Sequence, residues 1–233
     1  MEPVTRAVFL TALPDDGGVL AGAGVRAMTP LRVKVYALGL YGERRALVAA
    51  CRPAVAAAAA AGGGGGGGGG VAAPITPAAL LDTPAVWARL CAPRGSPSTL
   101  RLVVAREVTG DHMLHGFERA LKPRLKAAAK KPHGYGDAKA GLAAFTKWWK
   151  TVGTLKVGTE LTVTRDGAGR VTMAIKGEPL GTVESDALAW ALWDMFLGAK
   201  GVSAEIRQGV ADGLAALAEG ADHVAELRAA DEA

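Results

Sequence analysis

Cysteine is scarce in this chain of 233 residues: Cys51 and Cys91 are far apart and lack metal-ligand spacing. That excludes a disulfide framework and a cysteine-based zinc site, and both read as reduced, structural small hydrophobes. Histidine is limited to His112, His115, His133 and His223. His112 and His115 can share a helix face, but no further carboxylate or cysteine cluster completes a metal set, and no H-E-x-x-H occurs. No metal or other cofactor is therefore expected. Aromatic residues make up only 5%, and the net charge of +5 is small. A nucleic-acid binder would show a Lys/Arg stripe with interleaved aromatics, so none is expected as a partner. The densest basic run, Lys122 to Lys131, reads as a solvated helix end followed by a loop. Once the Ala/Gly tract is set aside, no apolar run reaches the length of a membrane span. The start, MEPVTRAVFL, lacks a secretory signature and a long Ser/Arg-rich leader. The chain is read as mature or trimmed, or as made without a leader.

Half the residues are hydrophobic, enough for a single domain with a real core over 1–220, with a charged tail at 221–233. Val4 to Leu13 reads as a strand ending in a Pro-Asp-Asp-Gly-Gly turn, followed by a short strand from Val19 to Gly22. Val33 to Tyr41 is the strongest strand, with Arg45 to Cys51 expected as its hairpin partner across Gly42-Glu43. An alanine run and nine consecutive glycines follow, and residues 54–72 are expected to be a disordered insertion. The glycines lack the lysine and helix start of a phosphate-cradling loop.

Beyond it, a short helix from Pro84, a strand from Leu100 to Val108 and helices over Gly110–Lys126 and Lys139–Val152 are predicted. Pro123 is a candidate kink. A hairpin, Glu160–Arg165 and Val171–Lys176 across Asp166-Gly167, precedes a short run from Leu180 to Val183. Ser185 and Ser203 are candidate N-caps of two last helices, Asp186 to Leu197 and one bearing Ile206, Val210, Leu214 and Leu217. Strands, helices, strands, helices in that order give an α+β class: one antiparallel sheet with helices on one face. No βαβ alternation and no G-x-G-x-x-G point to a nucleotide fold.

Two side chains stand out. Gly22-Ala-Gly-Val-Arg26 reads as a glycine turn delivering an arginine, and Tyr36 follows on the strong strand. A fixed cation and a phenol beside an apolar strand suit a carboxylate, a phenolate or an enolate. Arginines after turns are mostly surface residues and strand tyrosines mostly packing, so residue types alone do not make this a site.

Three stretches carry a resemblance to the chalcone isomerase-like family: Gly22 to Arg26 with Val33 to Tyr41, the strand-to-helix stretch from Leu100 to Gly110, and Gly158 to Leu214 with Leu188 to Gly198, Ser203 and Arg207. The resemblance implies an open-faced β-sandwich, with a ligand cleft between a large antiparallel sheet and a helical layer. True isomerases of the family close a chalcone to a flavanone. Their arginine matches Arg26, but they carry threonine where this chain has Tyr36, and a tyrosine and an asparagine where the alignment puts Met113 and Ala120. Neither Met113 nor Ala120 can donate to an enolate oxygen.

The fatty-acid-binding branch carries arginine and tyrosine at both matching positions, and its plant members are plastidial. The resemblance thus implies a non-catalytic fatty-acid binder, with Arg26 and Tyr36 on the carboxylate and Met113, Leu114, Phe117, Met195 and Phe196 as apolar lining. The alternative is an intramolecular lyase acting on chalcones, with His112 or His115 standing in for the polar pair. Catalytic residues are not assigned. The implied compartment is the plastid stroma, with the cytoplasm as the default, and the expected state is a monomer.

Overall fold

The computed structural model describes residues 7–13, 18–28, 33–62, 74–130 and 135–220. Six antiparallel strands form the main sheet in the order β1-β2-β3-β6-β7-β8. They are β1 (Val19–Met28), β2 (Val33–Gly42), β3 (Ser98–Val104), β6 (Glu160–Arg165), β7 (Arg170–Ile175) and β8 (Glu178–Glu184). A two-stranded ribbon pairs β4 (Val108–Thr109) with β5 (Thr154–Leu155). The helices are α1 (Arg44–Ala50), α2 (Arg52–Gly62), α3 (Pro77–Leu81), α4 (Pro84–Cys91), α5 (Gly110–Ala128), α6 (Ala138–Trp149), α7 (Asp186–Leu197) and α8 (Ala204–Ala218).

The helices pack over one face of the sheet. Alternation along β2 sends Tyr36, Leu38 and Leu40 toward them, where they join Leu100 and Leu102 of β3, Phe117 and Leu121 of α5, and Trp193 and Phe196 of α7 in one core. Helix α7 is buried on nearly every side, from Ala187 to Leu197, and lies at the centre of the layer. Ser185 and Ser203 cap α7 and α8 through bonds to the amides of Leu188 and Ile206. Pro123 lies inside α5, whose run continues to Ala128. The other sheet face holds a small cluster of Phe9, Leu20, Val25, Tyr41 and Val103. Beyond it a row of threonines crosses the sheet at one register, Thr99, Thr164, Thr172 and Thr182. Their hydroxyls pair at 3.0 Å (Thr99 with Thr164) and 2.9 Å (Thr172 with Thr182). The β7–β8 hairpin turns at Lys176-Gly177, both with positive φ, 52° and 83°.

Four local expectations change. Residues 7–13 form no strand; they contribute the bridge Ala12↔Val19 and are tied to the sheet by Tyr41 Oη and Arg101 donating to the carbonyls of Leu10 and Val8. The segment expected as β2's hairpin partner is α1, whose Leu47 and Ala50 are buried. Ala-rich sequence prefers a helix, and burial at that spacing needs only one face. The alanines of the expected insertion extend this as α2 to Gly62, while 63–73, like the tail at 221–233 and the residues before Ala7, lies outside the described residues. Finally, β1 runs well past Gly22, so Arg26 sits within a strand and not after a turn.

Cys51 and Cys91 are both buried and neither is in a disulfide, and burial pushes the Cys51 thiol up to about 11. Among the described residues, no group of three potential metal ligands exists and no helix is long and apolar enough to cross a membrane.

Candidate functional site

The glycines of β1 and α8 decide where Arg26 stands. A Cβ on Gly24 would lie 2.4 Å from the Glu205 carbonyl oxygen, and one on Gly209 would lie 1.9 Å from that of Ala23. Only glycine lets α8 lie this close on β1. The next residue on that face, Arg26, emerges just beyond the start of α8. There its guanidinium donates to the Val202 carbonyl, and Ser203 Oγ donates to the Val25 carbonyl at 2.6 Å. Arg26 is half-buried.

Arg26 and Tyr36 are direct cross-strand partners on β1 and β2, so both side chains leave the same face. The next pairing is Ala27 with Lys34, which leaves Val35 as an extra residue on β2. This bulge changes which side chains reach the cleft: Val33 and Val35 border it, and Lys34 does not. Simple alternation from Tyr36 would have put Lys34 on the cleft face.

The cleft is a cavity of ≈ 620 Å³ between the ends of β1 and β2, the loop after β3 and the first half of α5. That is the size of a small-molecule site. Its deep walls are Val33, Val35, Tyr36, Met113, Phe117, Met195 and Val202. Behind them Phe117 meets Phe145, Trp149 and Phe196 at ring separations of 5.7, 5.4 and 6.5 Å, a rigid aromatic backing. At the mouth stand Arg106, Glu107, His112, His115 and Arg119, all exposed. Three guanidiniums face one carboxylate around the cavity, which favours an anionic occupant.

Tyr36 is 5% exposed. Burial raises its phenol well above the usual range, and the nearby Arg26 charge lowers it by less. The hydroxyl therefore stays protonated and is a donor at any physiological pH. Arg26 and Tyr36 together present N–H and O–H donors beside the apolar deep walls of the cavity.

Of the side chains singled out from sequence, Arg26, Tyr36, Met113, Phe117 and Met195 border this one cavity. Phe196 is fully buried one layer back, edge-on to Tyr36 at 6.2 Å, and Leu114 packs partly buried on α5 against the core. Ala120, two helical turns from Met113, also borders the cavity. Sequence reasoning missed Val33, Val35, Val202, Arg106 and Arg119. The two valines of β2 needed the bulge, and the loop arginine carries no local signal. Arg119 was findable, since it continues the helical spacing of His112 and His115.

A family profile described as chalcone isomerase like matches residues 75–211. The crystal structure of a fatty-acid binding protein from Arabidopsis thaliana superposes with a TM-score of 0.70 at 20% identity, covering 94% of this chain and 98% of that one. No curated protein matches the chain by sequence. At that identity the superposition speaks for the fold: an antiparallel sheet left open on one face under a helical layer. On the profile match and this shared fold, the chain belongs to the chalcone isomerase-like family.

Proposed function

We propose that the protein binds a fatty acid in the cleft, with Arg26 and Tyr36 holding its carboxylate and the acyl chain lying along Met113, Phe117 and Met195. The observation that carries the reading is the cross-strand pairing of Arg26 with Tyr36 on the face that borders an apolar cavity. Each charge-assisted hydrogen bond to a carboxylate contributes about 1.5–3 kcal/mol. Each buried methylene adds about 0.8 kcal/mol, so ten methylenes offer roughly 8 kcal/mol before ordering costs. Micromolar affinity is within reach of that sum. The solved structure with this fold is named as a fatty-acid binding protein, which agrees with the reading.

The competing reading is ring closure of a chalcone. One observation favours it: His112 and His115 border the same cavity. Both are exposed at the mouth, however, and His115 Nδ1 is engaged with the Asp111 carbonyl at 2.7 Å. Met113 and Ala120 offer no donor in the place of a polar pair.

The test is calorimetric titration with a long-chain fatty acid, beside a chalcone cyclisation assay on the same sample. Arg26→Ala is expected to weaken binding by about 10- to 150-fold for each charge-assisted bond removed. Unchanged affinity in that variant would sink the carboxylate role. Stereoselective cyclisation above the spontaneous rate would replace the binding reading with the lyase.

A further inference from the structure

The exposed side of α5 carries a second feature. His112, His115, Arg119, Lys122 and Lys126 recur at three- and four-residue steps, so they form one stripe along the helix, and Lys130 follows just past its end. All are exposed, while Met113, Phe117, Leu121 and Leu125 on the opposite side are buried. From His112 to Lys126 the stripe runs about 21 Å at the helical rise. Its first half is the mouth of the cleft, where Arg106 joins it from the loop after β3.

Four arginines outside the stripe are held by carboxylates. Arg94 pairs with Asp186, Arg101 with Glu160, Arg124 with Asp194 and Arg170 with Asp166. Arg106, Arg119, Lys126 and Lys130 make no ion pair with a described residue; within the stripe, only Lys122 has one, to Glu118 at 2.7 Å. Glu118 is also held by Thr146 Oγ1 at 3.0 Å. With Lys122 and Glu118 paired, the two carboxylates Glu107 and Asp111 stand against four cations on this side, Arg106, Arg119, Lys126 and Lys130.

We propose that this face docks on an anionic lipid bilayer, so that the cleft mouth opens at the membrane surface. The docking stands on the charge pattern. Its use, passing an acyl ligand between bilayer and cleft, rests on the fatty-acid reading above. A protein partner is the poorer fit: protein interfaces centre on aromatic or large apolar anchors, and the exposed residues among these cations are Gly116, Pro123, Ala127 and Ala129. A nucleic acid strand would want stacking aromatics, and the stripe has none. A layer of anionic headgroups needs only charge, and each Lys or Arg near it is worth about fivefold in partitioning.

The experiment is flotation of the full chain, free of ligand, with vesicles of phosphatidylcholine alone and with vesicles of phosphatidylcholine and phosphatidylglycerol in equal parts. Transfer of a fluorescent fatty acid from protein to the same vesicles is followed in parallel. Binding is expected to the mixed vesicles only, to fall with added salt, and to speed transfer. Lys126→Glu/Lys130→Glu is expected to reduce partitioning more than about 25-fold, from two lost cations alone, with fatty-acid affinity in solution unchanged. Equal binding to both vesicles, no binding, or binding that survives the charge reversal overturns the proposal. Capture of an acidic protein without vesicle binding overturns it too, and assigns the face to a protein partner. Flotation needs no fatty acid, so its failure and a failed Arg26→Ala titration are separate results.

Discussion

Gly24→Ala adds one methyl group and should test how Arg26 is held. The new Cβ would lie 2.4 Å from the Glu205 carbonyl oxygen and 2.6 Å from Ile206 Cα. Both are backbone atoms of α8, so no side chain can swing aside, and the helix must lift off the strand. Overpacking of this kind costs about 1–3 kcal/mol, and rigid backbone neighbours put Gly24 near the upper figure. For a chain of this size a kilocalorie shifts Tm by about 2–4 °C, so a fall of roughly 6–12 °C is expected. Gly116→Ala is the matched control: its Cβ meets nothing within 4 Å on the exposed side of α5. There the substitution lowers the entropy of the unfolded chain and should raise Tm by about 1–4 °C. Differential scanning calorimetry reads both. Fatty-acid affinity of the Gly24 variant should fall as well, because lifting α8 moves the Val202 carbonyl that Arg26 grips. A Gly24→Ala protein with the parent's Tm would refute the close strand–helix crossing and the account of Arg26 built on it.

Tyr36→Phe keeps the ring against Phe196 and removes one donor, so titration should show fatty-acid affinity reduced about tenfold or more with Tm nearly unchanged. On raising pH, the phenols of Tyr36 and Tyr41 resist ionisation in the folded state, Tyr41 being pushed up to about 12 by burial. Their contribution to stability is full below the unfolded phenol value near 10 and is lost as pH climbs through the folded values. Phenolate absorbance of both should therefore appear only with alkaline unfolding; a signal from folded protein near pH 10 larger than the single partly exposed tyrosine, Tyr135, can give would contradict their burial. Arg165→Met should lower Tm, since the buried guanidinium donates to the Leu90 and Ala92 carbonyls at the end of α4 and lies 4.4 Å over the Trp193 ring. Burial brings Arg165 down to about 10, yet the helix end and the ring favour its charge. Unchanged melting in that variant would make this buried cation dispensable.

Where a sequence signal is local, it was legible. The long helices show apolar spacing, Ser185 and Ser203 announce their caps, and Asp166-Gly167 announces a hairpin. The α+β class follows from the order of those elements. What failed was local propensity read without its neighbours. Gly22 and Gly24 look like a turn, and only the arrival of α8, distant in sequence, makes them strand residues. Arg44 to Ala50 follows a strong strand and invites a hairpin, but its alanines and leucine bury one helical face against α4 and α8. In the cleft, Arg26 and Tyr36 were visible as residue types. Their pairing across the strands, and the entry of Val33 and Val35, depend on a bulge that no residue near Tyr36 foretells.

The pairing slip at the far end of the sheet bears on how the molecule behaves in a crowd. Strand β8 is an outer strand, and an outer strand normally offers a row of free amides and carbonyls to any passing chain. Here Leu180 is the extra residue between the Met173–Gly181 and Ala174–Pro179 pairs, Pro179 has no amide hydrogen, and Glu178 and Glu184 put like charges at the two ends. A second molecule aligned on this border would meet a kink, a missing donor and repulsion at both ends. The border is thus closed to fibre-like growth, and the sheet stays six strands wide.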